Sequence, residues 1–137
     1  MSALGKIIAG IFGLLFLGLM IFVVVPKALD LIYRHNEGAT IGGLNAIRSA
    51  LRIYKDDMQG QYPSDLAVLT KGGTYLLNIP VVKYSSHHGD SSAVHFGTRP
   101  DDAGGWLYDN VTGDANFGSV WVNCTHTDYR RNAWNSY

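Results

Sequence analysis

The chain has 137 residues, and its 11 lysines and arginines balance its 11 aspartates and glutamates. No long-range field therefore draws it to nucleic acid or to an acidic partner. Its single cysteine, Cys124, excludes an internal disulfide framework and reads as a small buried thiol. With the apolar N-terminus set aside, roughly 75 residues remain for a globular part, a core that is marginal alone.

Residues 7–25 form an uncharged run of nineteen residues, the length a membrane-spanning helix needs. A cleaved secretory signal fits less well, because the run is long and no A-x-A site follows it. Lys6 favours a cytoplasmic N-terminus, while Lys27, Arg34 and Lys55 dilute that asymmetry. Gly5, Ala9 and Gly13 recur at four-residue spacing and would form one smooth helix face that another backbone can approach closely. Pro26 removes an amide donor and is expected to kink or locally melt the helix near residues 22–25.

The helical pattern resumes beyond the proline. Leu44, Ile47, Leu51, Tyr54 and Met58 step by three and four residues, an amphipathic stripe. Arg48, Arg52, Lys55 and Asp56 lie off it, and Gly38, Gly42 and Gly43 predict a break or looser turn. The expected organisation is a long helix over residues 1–59, spanning a membrane at 7–25 and bending near 26, followed by a β-rich head over 60–137. The helix should stop near Gly60, and Ser64 is the expected cap of a short helical turn bearing Leu66, Val68 and Leu69. Pro80 keeps the next stretch at an edge, and residues 85–92 read as a polar loop. AVHFG, GGWLYD and SVWVN, separated by turn-rich segments, predict an antiparallel meander of three or four strands packed on the helical stripe. The tail from Cys124 is expected to wrap the sheet edge. The fold class is α+β.

Architecture and local wording together resemble the type IV pilin and type II secretion pseudopilin superfamily. The stretch LNAIRSALRIYKDDMQGQYPSDLAVL resembles the pseudopilin helix end with its Tyr-Pro turn, and GGWLYDNVTGDANFGSVWVN resembles the Gly-Trp-x-Tyr-Asp hairpin of bacterial pilin-like proteins. The resemblance implies a pilin-like fold and a structural subunit that waits in the inner membrane as a single-span protein. It then polymerises with copies of itself into an extracellular filament, driven by pilus or type II secretion machinery. The chain departs from the family in one place. No acidic residue precedes Asp30, and no Gly-Phe or Gly-Met pair precedes the run. Either Met1 is the mature terminus after leader removal or the chain is a divergent relative, and the Gly5, Ala9 and Gly13 face then offers a packing substitute for the family's glutamate. A major pseudopilin of a periplasmic pseudopilus is one alternative. A single-span anchored binding module that never polymerises is another.

Chemistry-bearing residues are sparse in pattern. His87, His88, His95 and His126 lack any zinc spacing signature and read as surface or loop histidines. Asp101 and Asp102, ahead of Gly104 and Gly105, are calcium candidates, since such oxygen-rich loops suit that ion and some pseudopilins bind it in their C-terminal loops. No other cofactor is expected. Cys124 and His126 would share a strand face, with nothing to orient them as a nucleophile pair. No G-x-S-x-G elbow or Walker loop occurs, so the chain does not read as an enzyme. Asn110-Val-Thr and Asn123-Cys-Thr match the glycosylation pattern. The seven aromatic residues between Trp106 and Tyr137 read as sheet core and subunit contacts.

Overall fold

The computed structural model describes residues 2–84 and 87–137. They form an N-terminal helical region and a small mixed sheet, an α+β layout. The compact units divide between Arg34 and His35, so the second half of the long helix belongs with the head.

In the N-terminal unit, α1 covers Ala3–Leu19, and Ser2 caps it by accepting the Gly5 N–H. A five-residue π-turn, Met20–Val24, follows. It answers the expectation of a kink or melted turn at Pro26. The proline cannot donate to the preceding turn, and the chain absorbs the defect by widening. The Val25 N–H bonds to the Met20 carbonyl five residues back, and helical geometry resumes directly in α2, Val25–Asp57. The π-turn keeps the Val25 N–H and the Met20 carbonyl paired, which a melted segment would not. Among the described residues, one helix, Ala3–Asp57 taken through the π-turn, is long and apolar enough to cross a membrane.

In the head unit, α2 runs unbroken through Gly38, Gly42 and Gly43, contrary to the expected loosening. Gly43 explains why glycine is tolerated. A Cβ there would stand 2.8 Å from Pro80 Cβ and 3.4 Å from Trp106, so its lack of a side chain brings the helix against the head. The stripe buries Leu44, Ile47, Ala50 and Leu51, leaves Tyr54 half-buried and releases Met58 to 43% exposure. Burying each large aliphatic side chain is worth about 1.5–3 kcal/mol. The helix ends as expected before Gly60, whose N–H bonds to the Lys55 carbonyl with φ at +93°, the left-handed close that suits glycine. The next turn, a 3₁₀ segment over Leu66–Gly73, is capped by Asp65 through the Ala67 N–H and not by Ser64. Leu66 and Leu69 enter the core.

The three strands are β1 (Val94–Phe96), β2 (Trp106–Tyr108) and β3 (Val120–Val122), in spatial order β1-β2-β3. β2 and β3 pair antiparallel, but β1 pairs with β2 in parallel, which corrects the expected meander. The cause lies in residues 97–105. Gly97, Asp102, Gly104 and Gly105 all have positive φ and turn the chain back to run beside β1 in the same direction. At Gly105 a Cβ would collide with the Ala93 carbonyl, so only glycine lets the strands close there. Trp106, Tyr108, Val120 and Val122 form the core with the α2 stripe. Instead of only wrapping the edge, the tail inserts Trp134 into that core after a bridge between Thr127 and Ala133.

Candidate functional site

Two features of the molecule call for a chemical account: the apolar helix, and a cluster of polar side chains at one end of the sheet.

The helix carries the residues expected to mediate packing. Ala9 and Gly13 are exposed and Gly5 is half-exposed. A Cβ at Gly13 would meet no described atom within 4 Å, and one at Gly5 only the Ser2 hydroxyl at 3.7 Å. Pro26 follows the π-turn. α1 buries none of its residues against the rest of the described chain.

The cluster is built where β3 ends. Past Val122 the chain leaves the strand, and the Cys124 N–H turns back to the Val122 carbonyl. Cys124 and His126 therefore lie beyond the strand on which they were expected. They nevertheless meet, with Cys124 Sγ 3.3 Å from His126 Nδ1. Cys124 is fully buried, and that burial pushes its thiol pKa up.

The 101–105 loop is stapled to the same place by Asn123. Asn123 Nδ2 donates to Asp101 Oδ1 at 2.7 Å and to the Gly104 carbonyl at 3.2 Å, while its Oδ1 accepts the Asp101 N–H. The Asn123 amide, and then the Ala103 N–H, hold the Asp101 carboxyl below the ordinary carboxylate range. Asp102 sits at φ +59°, a left-handed backbone that aspartate tolerates better than most residues. Its Oδ1 accepts the Thr125 N–H at 2.6 Å and its Oδ2 the Thr125 hydroxyl at 2.7 Å. These bonds hold its carboxyl pKa down as well. Its Oδ1 stands 3.7 Å from His126 Nδ1.

His88 completes the cluster. Its ring meets Tyr84 edge-on at 4.9 Å and His126 at 5.2 Å. Its Nε2 is buried without a hydrogen-bond partner among the described residues. His87 stacks flat on His126 at 4.2 Å. One ligand-capable atom from each of His88, Asp102, Cys124 and His126 lies within 4.8 Å of all the others.

The two aspartates named as calcium ligands thus go different ways. Asp101 is spent on Asn123 and Ala103, and Asp102 faces nitrogen and sulfur, not the oxygen shell calcium takes. Of the glycosylation candidates, Asn123 is buried and its amide nitrogen is committed, which leaves no place for a glycan in the folded chain. Asn110 is half-buried and donates to the Ser64 carbonyl at 3.3 Å. His95 lies in β1, outside the cluster. The cluster escaped the sequence reading because its members come from three separate segments. The Cys-x-His pair beside an Asp-rich, Gly-rich turn was its one local sign.

A hollow of about 490 Å³ is lined by Arg48, Arg52, Tyr62 and Trp121 among others. Arg48 is already used within the fold, donating to the main-chain oxygens of Val120 and Tyr137 at 3.0 and 2.7 Å.

No family model, curated protein or solved structure matches the chain.

Proposed function

We propose that the chain is a structural subunit of a type IV pilus-like filament, lodged first in a membrane through residues 7–25 and then packed helix to helix with copies of itself. The observation that carries this reading is an apolar helix, α1, none of whose residues is buried among the described residues. Phe12, Leu14 and Phe22 are 69%, 73% and 81% exposed, and so large an apolar surface needs lipid or sister helices. The open small-residue face of Gly5, Ala9 and Gly13 suits close approach of a second helix. The pairing of the Val25 N–H with the Met20 carbonyl through the π-turn suits residence in lipid beforehand. The same features serve a short periplasmic pseudopilus, in which the assembly machinery is that of type II secretion.

The test is electron microscopy of sheared surface material, with mass spectrometry of the subunit's N-terminus. Filaments built from this chain are expected. Ala9→Phe or Gly13→Phe should abolish them while membrane insertion persists. Normal fibres from either variant would overturn the close-packing account. A chain that stays monomeric in detergent and forms no fibre would instead be a single-span anchored module.

A further inference from the structure

The structure assigns a second property to the head, independent of whether the chain polymerises. We infer that His88, Asp102, Cys124 and His126 form a four-ligand binding site for a zinc-class divalent cation, tying the His88 loop and the 101–105 loop to the end of β3.

The geometry is close to what such an ion requires. Tetrahedral zinc, with bonds of about 2.0–2.3 Å, places its ligand atoms roughly 3.3–3.8 Å from one another. Cys124 Sγ to His126 Nδ1 is 3.3 Å and His126 Nδ1 to Asp102 Oδ1 is 3.7 Å, so His126 already stands at those separations from two of the other ligands. The fourth, His88, lies within the 4.8 Å that bounds the whole cluster.

Hydrogen bonding alone accounts for the cluster incompletely. It pairs Cys124 with His126, while Asp102 Oδ1 stands 3.7 Å from His126 Nδ1, beyond hydrogen-bond distance, and the buried Nε2 of His88 has no partner among the described residues. Such a group costs the fold its desolvation, and a cation would take its lone pair. The surroundings are also those of a ligand set. Thr125 holds both Asp102 oxygens through its N–H and hydroxyl, and Asn123 fixes the loop from which Asp102 projects. Outer contacts of this kind orient metal ligands. The side chains of His126 and Asp102 keep 41% and 37% exposure, which leaves a path for the ion.

The donor types select the metal. A thiolate with two imidazoles and one carboxylate suits zinc, and calcium and magnesium take oxygen ligands instead. Four protein ligands leave no open position, so the role is structural and not catalytic. A head this small, without a disulfide, is the kind of domain that gains from a metal staple.

The test uses the full-length, tag-free chain in detergent, stripped with a chelator and titrated with Co(II), then with Zn(II). One equivalent of Co(II) is expected to give thiolate-to-cobalt charge transfer and the intense visible bands of a tetrahedral ion, which one equivalent of Zn(II) abolishes. Cys124→Ser should remove the charge-transfer band. Because Cys124 is a core residue, His88→Ala, on a loop outside the core cluster, keeps the question decidable if that variant fails to fold. It should weaken zinc binding at least about 100-fold, the upper end of what outer-contact changes cost. Uptake without charge transfer, substoichiometric binding, or parental affinity in His88→Ala would each overturn the assignment.

Discussion

Gly42 and Gly43 are adjacent in α2 and answer to different constraints. A Cβ at Gly43 would press on Pro80 and Trp106, whereas one at Gly42 would meet no described atom within 4 Å. Alanine lowers the conformational cost of an exposed helix position by about 0.5–1 kcal/mol, and overpacking a tight contact costs about 1–3 kcal/mol. Gly42→Ala should therefore raise the thermal midpoint of the head and Gly43→Ala lower it, as followed by the near-ultraviolet circular dichroism of the tryptophans. Equal effects from the two would mean that the Pro80 contact does not limit the approach of the helix.

α2 is joined to the head by polar contacts as well as by its stripe. The Thr40 hydroxyl donates to the Lys83 carbonyl at 2.9 Å and accepts the Lys83 N–H at 2.8 Å, as a neighbouring strand would. Glu37 accepts the Tyr129 N–H at 2.5 Å, and Arg48 reaches two main-chain oxygens. Glu37 and Thr40 continue the three-and-four spacing of the stripe toward the N-terminus and are buried with it, but as polar residues they fall outside a periodicity of apolar side chains, and Arg48 lies off the stripe altogether. Thr40→Val keeps the volume but strands the Lys83 main-chain groups, at a cost of about 1–3 kcal/mol. Thr40→Ser should restore most of that loss. Amide exchange at Lys83 is the specific readout, and unchanged protection there in Thr40→Val would remove Thr40 from this role.

The whole molecule divides at Arg34 and His35, and its core draws on both α2 and the sheet. A chain beginning at His35 is expected to keep native tryptophan circular dichroism without detergent. One beginning at Gly60 loses Leu44, Ile47, Ala50 and Leu51, each at most 3% exposed. At about 1.5–3 kcal/mol for each large side chain, that loss rivals the 5–15 kcal/mol by which domains are typically stable, so the shorter piece should be unfolded. A folded 60–137 fragment would show that the sheet carries its own core.

Local properties are legible along the chain. The apolar run, the stripe of Leu44, Ile47 and Leu51, the stop at Gly60 and the positions of all three strands follow from periodicity, length and turn chemistry, each of which acts over a few residues. Strand direction does not. The parallel pairing of β1 with β2 depends on how Gly97, Asp102, Gly104 and Gly105 bend one connection. The π-turn before Pro26 depends on hydrogen bonding that composition does not display. The polar cluster is the furthest from view, because His88, Asp102 and the Cys124-x-His126 pair are separated in sequence and converge only once β3, the 101–105 loop and the His88 loop are in place. Ligand geometry is a property of distances in space, and chain spacing reports those distances only inside a single regular element.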